Sequence, residues 1–258
     1  MLTITTNEMM QLVHMWLWPF FRIAGLLMTA PVIGTRTVPG RIRIVMAIAI
    51  TAVIFPVLPQ IPEVDPVSAK GLLISLQQVI TGVAMGLSMR VVFIALEVAG
   101  QAIGQLMGLM LASMVDPTNG NQVPIIGQFY LLLATLLFIT VDGHLIMIRV
   151  LAESFHSMPI GSIGISTNSA WEFVTWIGTI LRTAVLIALP AIVSLLIVNL
   201  SFGVMTRSAP QLNIFAVGFP IMIILGVLII FFNLSSFVPH MIHLFDEGAL
   251  MMLKMVSP

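Results

Sequence analysis

The chain has 258 residues, with ten basic and ten acidic side chains and no net charge at pH 7. Charged residues make up 8% of it, against about 25% in soluble domains, and apolar residues make up 59%. This composition excludes a water-soluble globular protein, and the balanced charge gives no field that would attract nucleic acid.

Long charge-free stretches dominate the chain. They cover residues 44–62, 71–89, 98–115, 117–141, 183–206 and 208–245. About 18 apolar residues are enough to cross the hydrocarbon of a bilayer as a helix, whereas membrane barrels use alternating segments of about ten. We therefore expect an all-α, multi-helix membrane protein with six or seven apolar helices.

Apolar length and turn residues predict the elements of the N-terminal half. A first helix is predicted over residues 9–30, and a second over residues 44–58, where four prolines at positions 56, 59, 62 and 66 end the helix and mark a loop. Residues 71–114 predict one long helix or two broken ones. A run of turn residues ends this stretch, and residues 125–150 predict the next helix.

The C-terminal half is predicted to be a helical hairpin. A connector rich in Ser and Gly covers residues 154–169, and we place an internal boundary there, between residues 1–165 and 166–258. Residues 171–205 and 211–245 predict two long helices joined by a short turn, which favours an antiparallel pair.

Basic residues give the expected orientation. Arg36, Arg41 and Arg43 cluster in the first loop, which predicts that this loop is cytoplasmic and the N-terminus is outside.

The first basic residue is Arg22, inside the first apolar segment. The charged start of a cleavable signal peptide is therefore missing, and we expect the first helix to stay in the mature protein.

Polar and small side chains recur every four residues on adjoining faces of the predicted third helix. This seam consists of Arg90, Glu97, Gly100, Gln101, Gly104, Gln105 and Gly108. Carboxylates and amides are costly against lipid, and glycines let backbones approach closely, so the seam faces protein or water. Two interpretations stay open. The seam packs within one subunit, or it faces partner subunits or a pore.

Signatures of catalysis and of bound cofactors are missing from the sequence. It contains no H-E-x-x-H, G-x-S-x-G or P-loop pattern, and no cysteine that could act as a nucleophile or metal ligand. His240 and His243 could share a metal ion, but no third ligand is spaced with them before Asp246. We expect no enzyme activity, no cofactor and no metal site.

Seven short motifs lie between residues 31 and 220. They are PVIG at 31–34 with VPGRIR at 38–43, AGQAIGQLMG at 99–108, VDP at 115–117, FITVDGH at 138–144, SF at 154–155 with Pro159, SAPQLNIF at 208–215 and GFP at 218–220. Each motif is weak alone, but their order is specific. In this order they resemble the family of the flagellar biosynthetic protein FliR, which includes the T-type subunit of injectisomes.

The resemblance implies a structural, pore-forming subunit of the type III secretion export gate. By this resemblance, residues 1–165 of this chain would be FliP-like, and residues 166–258 would form a FliQ-like hairpin. The implied partners are FliP, FliQ and FlhB, with FlhA in the full apparatus, together with membrane lipid and exported unfolded flagellar proteins. The implied location is the bacterial inner membrane at the flagellar basal body, with the gate extending to the periplasmic side.

The resemblance also places a pore plug in the loop at about residues 110–122. Its candidate residues are Met110, Leu111, Met114, Asp116, Pro117, Asn119 and Gly120. This loop is polar and nearly uncharged, which suits irregular backbone enclosed by protein at membrane depth. Leu111 and Met114 stand where the family often places aromatic residues.

Two other functions are open from the sequence. The first is a secondary transporter or ion channel acting alone, with Arg90, Glu97, Asp142 and His144 as a path for a coupling ion. Paired inverted repeats would favour it, and we find none in the sequence. The second is an intramembrane hydrolase, which would need a nucleophile and a base in contact.

Overall fold

Seven α-helices make up the part of the chain that the structure describes, which confirms the all-α prediction. The computed structural model describes residues 6–35, 37–59, 61–62, 64–109, 124–162, 164–208 and 214–257. The helices are α1 (Thr6–Thr29), α2 (Gly40–Ile54), α3 (Ala69–Leu106), α4 (Ile125–Thr140), α5 (Gly143–Ser157), α6 (Thr167–Ser208) and α7 (Ile214–Lys254). A short 3-10 helix (Phe55–Val57) follows α2.

Four of these helices are long and apolar enough to cross a membrane. They are α2 with the 3-10 helix that follows it, α3, α6 and α7. The helices α4 and α5 pass the same test together as a broken span, which gives up to five spans within the described residues. The chain therefore has the composition and the helix lengths of a multi-helix membrane protein.

Three helices are much longer than the hydrocarbon core of a bilayer is thick. α3 has 38 residues, α6 has 42 and α7 has 41. At about 1.5 Å of rise per residue each is roughly 57 to 63 Å long, about twice the 30 Å of a typical hydrocarbon core. The hydrocarbon of a bilayer is therefore too thin to cover the full length of any of these helices if they stand upright in it.

The chain folds into two compact units, each built from separate stretches of sequence. Unit 1 contains residues 1–91, 142–177 and 245–258, and unit 2 contains residues 92–141 and 178–244. The division into a FliP-like part and a FliQ-like part rests on family resemblance and stays a prediction.

In unit 1, α1 and α3 pack backbone against backbone at glycines. A Cβ added to Gly25 would lie 2.7 Å from the carbonyl oxygen of Val79, and one added to Gly82 would lie 2.9 Å from the amide nitrogen of Leu26. A Cβ on Gly86 would lie 2.6 Å from the carbonyl oxygen of Leu26. Gly82 and Gly86 are four residues apart, so they form a small-residue face of the kind that lets helices touch in membranes.

The continuous helix predicted over residues 125–150 is wrong. The structure ends α4 at Thr140 and begins α5 at Gly143, because Asp142 takes the left-handed conformation with φ of +56°. The Asp142 carbonyl accepts the first backbone hydrogen bonds of α5, from Leu145 and Ile146. Asp tolerates this conformation better than most residues, and a break of one or two residues does not disturb an apolar run, so periodicity missed it.

The predicted helix over residues 71–114 is wrong at its C-terminal end. α3 is a single helix, but it stops at Leu106. Gly108 has φ of +78°, and its N–H donates to the Gln105 carbonyl, which is the usual way in which glycine terminates a helix. Gly108 therefore lies beyond the helix and does not share a helical face with Gly100 and Gly104.

In unit 2, α6 and α7 run antiparallel, as predicted for the hairpin. Phe202 of α6 and Met222 of α7 line one cavity, while Ala191 of α6 and Phe237 of α7 line another. Residue numbers therefore rise along α6 as they fall along α7. α6 extends beyond its predicted range at both ends, and α7 continues nine residues past its predicted end, to Lys254.

We expect Gly82→Ala to destabilise unit 1. The added methyl group meets the backbone of α1, which cannot rotate away, and such overpacking costs about 1 to 3 kcal/mol. Protease resistance of the chain in detergent-solubilised membranes, followed against temperature, should show a midpoint lower by about 2 to 12 °C.

The matched control is Gly178→Ala in α6, where an added Cβ meets nothing within 4 Å. It should leave the midpoint unchanged or raise it slightly, since alanine favours a helix. Equal midpoints for the two variants would contradict the close contact of α1 and α3.

Candidate functional site

Two helix backbones also meet in unit 2, where α3 packs on α4 at part of the predicted seam. A Cβ added to Gly100 would lie 2.9 Å from the Ile126 carbonyl oxygen and 3.0 Å from the Gly127 Cα. A Cβ on Gly127 would lie 3.0 Å from the carbonyl oxygen of Glu97. Gly104 packs beside Ile126 with more room, at 3.3 Å. These glycines form a packing face inside this chain, and a contact with partner subunits stays a prediction.

The polar row of the seam points to another side of α3. Glu97 is half-buried, and its Oε1 accepts a hydrogen bond of 3.4 Å from Gln128 Nε2 of α4. Gln101 and Gln105, one and two helical turns further on, are exposed in the isolated chain. The predicted seam therefore divides into a glycine face against α4 and a row of two exposed amides.

The C-terminal end of α3 contacts both helices of the hairpin. Asn199 of α6 donates its Nδ2–H to the carbonyl oxygen of Leu106 at 3.0 Å. Met107 is fully buried, and a Cβ added to Gly226 of α7 would lie 2.5 Å from its Cε. Gly108 lies under the ring of Phe219. Leu106, the last residue of α3, and the two residues that follow it are thus held from two sides.

A cavity of 320 Å³ lies beside this helix end. Gln105 and Gly108 of the α3 end, Asn199 of α6 and Phe219 of α7 are among its lining residues. It combines amides with aromatic rings, and it adjoins the point where the chain leaves α3. The end of α3 is therefore not packed solidly on all sides.

The predicted plug lies outside the described residues. Its candidates are Met110, Leu111, Met114, Asp116, Pro117, Asn119 and Gly120, all within residues 110–123. The structure describes the chain up to Leu109 and again from Pro124, the N-cap of α4. The plug stays a prediction.

Arg22 is a buried charge in the described part of unit 1. Its side chain is 0% exposed, and its Nε donates to Gln78 Oε1 at 2.7 Å. Its two terminal nitrogens donate to the carbonyl oxygens of Ser154 at 2.8 Å and Met158 at 2.9 Å, and the guanidinium lies 4.3 Å from the centroid of the Phe155 ring. These acceptors are all uncharged. One cation thus ties α1 to α3 and to the end of α5.

The four residues of the proposed ion path lie in different settings. Arg90 reaches the Gly34 carbonyl oxygen over a long 3.4 Å in unit 1, and Glu97 bonds to Gln128 in unit 2. Asp142 is exposed at the break before α5, while His144 is half-buried with Nδ1 lacking a hydrogen-bond partner among the described residues. Their placement shows no shared site within either unit.

The chain matches the family described as bacterial export proteins, family 1, over residues 13–248. It belongs to this family. A relative named flagellar biosynthetic protein FliR, from Pectobacterium carotovorum subsp. carotovorum, is 40% identical over 96% of this chain and 94% of its own length. The relatives of the same name from Escherichia coli (strain K12) and Aquifex aeolicus (strain VF5) are 35% and 32% identical, over 96% and 83% of this chain and 94% and 83% of their own lengths. The resemblance to the FliR family is confirmed.

Sequence reasoning missed the contacts that this family member makes at the end of α3. Asn199, Phe219 and Gly226 were not predicted as site residues. One signal was available for Asn199, because an amide within the charge-free run 183–206 is costly in an apolar setting and calls for a partner. No pattern marked Phe219 or Gly226, since their roles depend on which helix faces them.

We expect Arg22→Lys to destabilise unit 1 although the charge is kept. Lysine carries its donors on one nitrogen and cannot reach acceptors on α3 and α5 together, so buried oxygens lose their partners. The cost should be about 1 to 3 kcal/mol for each buried oxygen that loses its partner. The measurement is again the temperature at which the chain in solubilised membranes becomes protease-sensitive.

Arg41→Lys is the control, because Arg41 is exposed at the start of α2. This variant should behave as the wild type does. If Arg22→Lys also matched the wild type, the hydrogen-bond geometry of the guanidinium would not matter, and Arg22 would act as a charge alone.

Proposed function

We propose that this chain is a structural, pore-forming subunit of the flagellar protein export gate, assembled with FliP and FliQ. Family membership supports an export role, and the name of the relatives supports a flagellar one. The observation that supports assembly with other subunits is the length of the exposed apolar face on α6.

Apolar side chains are exposed along nearly the whole of α6. They include Trp171, Val174, Leu181, Val185, Leu189, Val193, Leu196, Leu200, Val204 and Met205. From the first to the last of these the helix rises about 50 Å. A strip of that length fits within 30 Å of hydrocarbon only at a tilt of more than about 50°, whereas transmembrane helices tilt by about 0 to 40°. Protein must cover the remainder.

Arg182 supports the same conclusion. It lies within this apolar strip and is exposed in the isolated chain. A guanidinium facing the hydrocarbon is expensive, whereas acceptors on a neighbouring subunit can satisfy it. The α6 face therefore fits a surface that other helices cover.

The row of Gln101 and Gln105 is proposed to face the pore or the subunits around it. The glycine face behind it packs α3 on α4, so the row is held by a rigid helix pair. Residues 110–122 are proposed to plug the pore at rest and to move when unfolded flagellar proteins pass. FlhB and FlhA are the further partners that the resemblance implies.

The proposed location is the inner membrane at the flagellar basal body. Helices of about 60 Å exceed the bilayer, which supports an assembly that projects beyond it, and the family resemblance directs that projection to the periplasm. In such an assembly one apolar face contacts lipid and another contacts protein.

We expect the chain to need its partners for stability. Expressed alone, it should aggregate or be degraded, and co-expressed with FliP and FliQ it should purify as one hetero-oligomer. Mass measurement of the intact complex checks this. Co-expression with one partner at a time provides the control. A stable, homogeneous chain without partners would contradict the proposal.

We expect deletion of residues 112–121 to raise the passive ion leak of cells that carry the full assembly. The deletion removes the proposed plug and leaves every described helix intact. Leak per assembled complex is measured with a membrane-potential dye, and the amount of complex is quantified in the same membranes. Unchanged leak with normal export would remove the plug assignment.

A transporter or channel that acts alone is the alternative, with Arg90, Glu97, Asp142 and His144 as the ion path. Asp142 at a helix break favours it, since broken helices are common at the binding sites of transporters. The purification experiment separates the two functions. A transporter should be stable alone or as a small symmetric oligomer.

A further inference from the structure

Helix α2 of unit 1 is held along one narrow stripe and exposed on its other sides. Its buried residues are Ala47, Thr51 and Ile54, which recur every three or four positions and so lie on one face. Apolar side chains are exposed around the rest of α2 and the 3-10 helix after it, at Ile42, Ile44, Val45, Ile48, Val53 and Val57. Within the described residues, α2 is therefore a largely uncovered apolar helix.

The length of this helix fits the hydrocarbon of a bilayer. Together with the 3-10 helix that follows, it covers Gly40–Val57, 18 residues. At about 1.5 Å of rise per residue this segment is about 27 Å long, close to the 30 Å of a typical hydrocarbon core. Lipid can therefore cover α2 over its full length, which it cannot do for α3, α6 or α7 standing upright.

Arginines from two helices reach the loop between α1 and α2. Nη2 of Arg43 donates to the carbonyl oxygens of Thr35 and Val38, the second at 2.9 Å. Its Nε has no hydrogen-bond partner among the described residues. Arg90 of α3 donates from Nη1 to the Gly34 carbonyl oxygen over a long 3.4 Å. All these acceptors are neutral, so they do not compensate the two positive charges.

A third arginine lies at the start of α2. Arg41 is exposed, and it makes no hydrogen bond to another described residue. In the described part of the chain, none of Arg41, Arg43 and Arg90 forms an ion pair with a carboxylate. Guanidinium groups form strong, often bidentate hydrogen bonds with phosphate. We call Arg41, Arg43 and Arg90 the arginine cluster.

The opposite end of α2 differs in chemistry. The rings of Trp16 and Phe55 stack there with their centroids 5.2 Å apart, and Trp16 is partly exposed. Tryptophan is enriched where hydrocarbon meets lipid headgroups. The sequence that follows carries Glu63 and Asp65 against one basic residue, Lys70, so the cluster end is the more positive end. A basic end, an apolar middle and an aromatic end are typical of a helix that lipid surrounds.

We propose that this face of unit 1 binds anionic phospholipid, with the phosphate at the arginine cluster and the acyl chains along α2. The uncompensated positive charge selects an anionic headgroup, and each basic side chain near a membrane surface strengthens such binding about fivefold. Anionic lipid is abundant in the cytoplasmic leaflet, which agrees with the cytoplasmic side predicted for this loop. The inference goes beyond the proposed function, because it needs a bilayer but neither a pore nor a plug.

Native mass spectrometry tests the headgroup site. The full chain is purified from cell membranes in mild detergent through an affinity tag, together with the subunits that accompany it. Phosphatidylglycerol or phosphatidylethanolamine with the same acyl chains is then added in increasing amounts. The subunits present report on the proposed function and the bound lipid reports on this inference, so either can fail alone. Phosphatidylglycerol should bind at the lower concentration, and equal binding of the two lipids would overturn the site.

Arg41→Gln removes one charge of the cluster from an exposed side chain. The phosphatidylglycerol concentration that gives half occupancy should rise about fivefold, whereas Arg41→Lys should stay near the wild-type value because it keeps the charge. Lys70→Gln is the matched control, since it removes one exposed cation beyond the other end of α2 and should change nothing. A wild-type value for Arg41→Gln, or an equal rise for Lys70→Gln, would contradict the proposal.

Fluorescence quenching tests what covers the apolar sides of α2. The chain has no cysteine, so one introduced at Val53 or at Val67 is the only one in it. Val53 lies on α2 and is 76% exposed, and Val67 lies in the loop beyond the 3-10 helix and is 83% exposed. Each cysteine carries a bimane label, in a preparation whose accompanying subunits lack cysteine, and the protein is reconstituted with phospholipid brominated on its acyl chains.

Bromine quenches a label that it contacts, so Val53→Cys should be strongly quenched and Val67→Cys should not. Weak quenching at Val53 would show that protein or water covers α2 and would overturn the lipid surface. Equal quenching at both positions would overturn the match between α2 and the hydrocarbon. Val45→Cys, at a position also exposed on α2, replaces Val53→Cys if that variant does not fold.

Discussion

Direct contact between helix backbones is the interaction on which both compact units depend. Apolar side chains gain little by leaving lipid or an apolar neighbour for another apolar surface, so burial alone does not select one arrangement of helices. Close contact at Gly25 and Gly82 in unit 1, and at Gly100 and Gly127 in unit 2, supplies dispersion energy that falls off steeply with distance. A chain with very few charges obtains a defined structure in this way.

Polar groups add hydrogen bonds between the helices that pack at these glycines. Arg22 is buried, yet each of its hydrogen bonds goes to an uncharged oxygen, so the cation is solvated by amide, carbonyl and hydroxyl groups in place of water. In unit 2 the donor is neutral. The side-chain amide of Asn199 donates to the carbonyl oxygen of Leu106, which has no partner within α3 because it lies at the helix end. The first interaction is buried, and the second is exposed, so that water can compete for it.

The sequence predicted the helical class, most helix positions, and the family. Composition and apolar length are enough for the class, and seven ordered motifs were enough for the family. It did not predict where helices stop. The break at Asp142 and the end of α3 at Gly108 each depend on one residue in the left-handed conformation, which an apolar run of side chains conceals.

The predicted seam shows the same limit. Its four-residue spacing correctly indicated a helix with a small-residue face, and Gly100 and Gly104 do lie against α4. Spacing could not show that Gly108 leaves the helix, nor that Asn199 reaches across to Leu106, since such contacts join residues about ninety positions apart.

The apolar strip on α6 has a further consequence for the cell. In the proposed assembly, a copy without neighbours would leave in water the part of this strip that lipid does not cover, and chaperones and proteases act on such apolar surface. The number of surviving copies would then follow the number of assemblies.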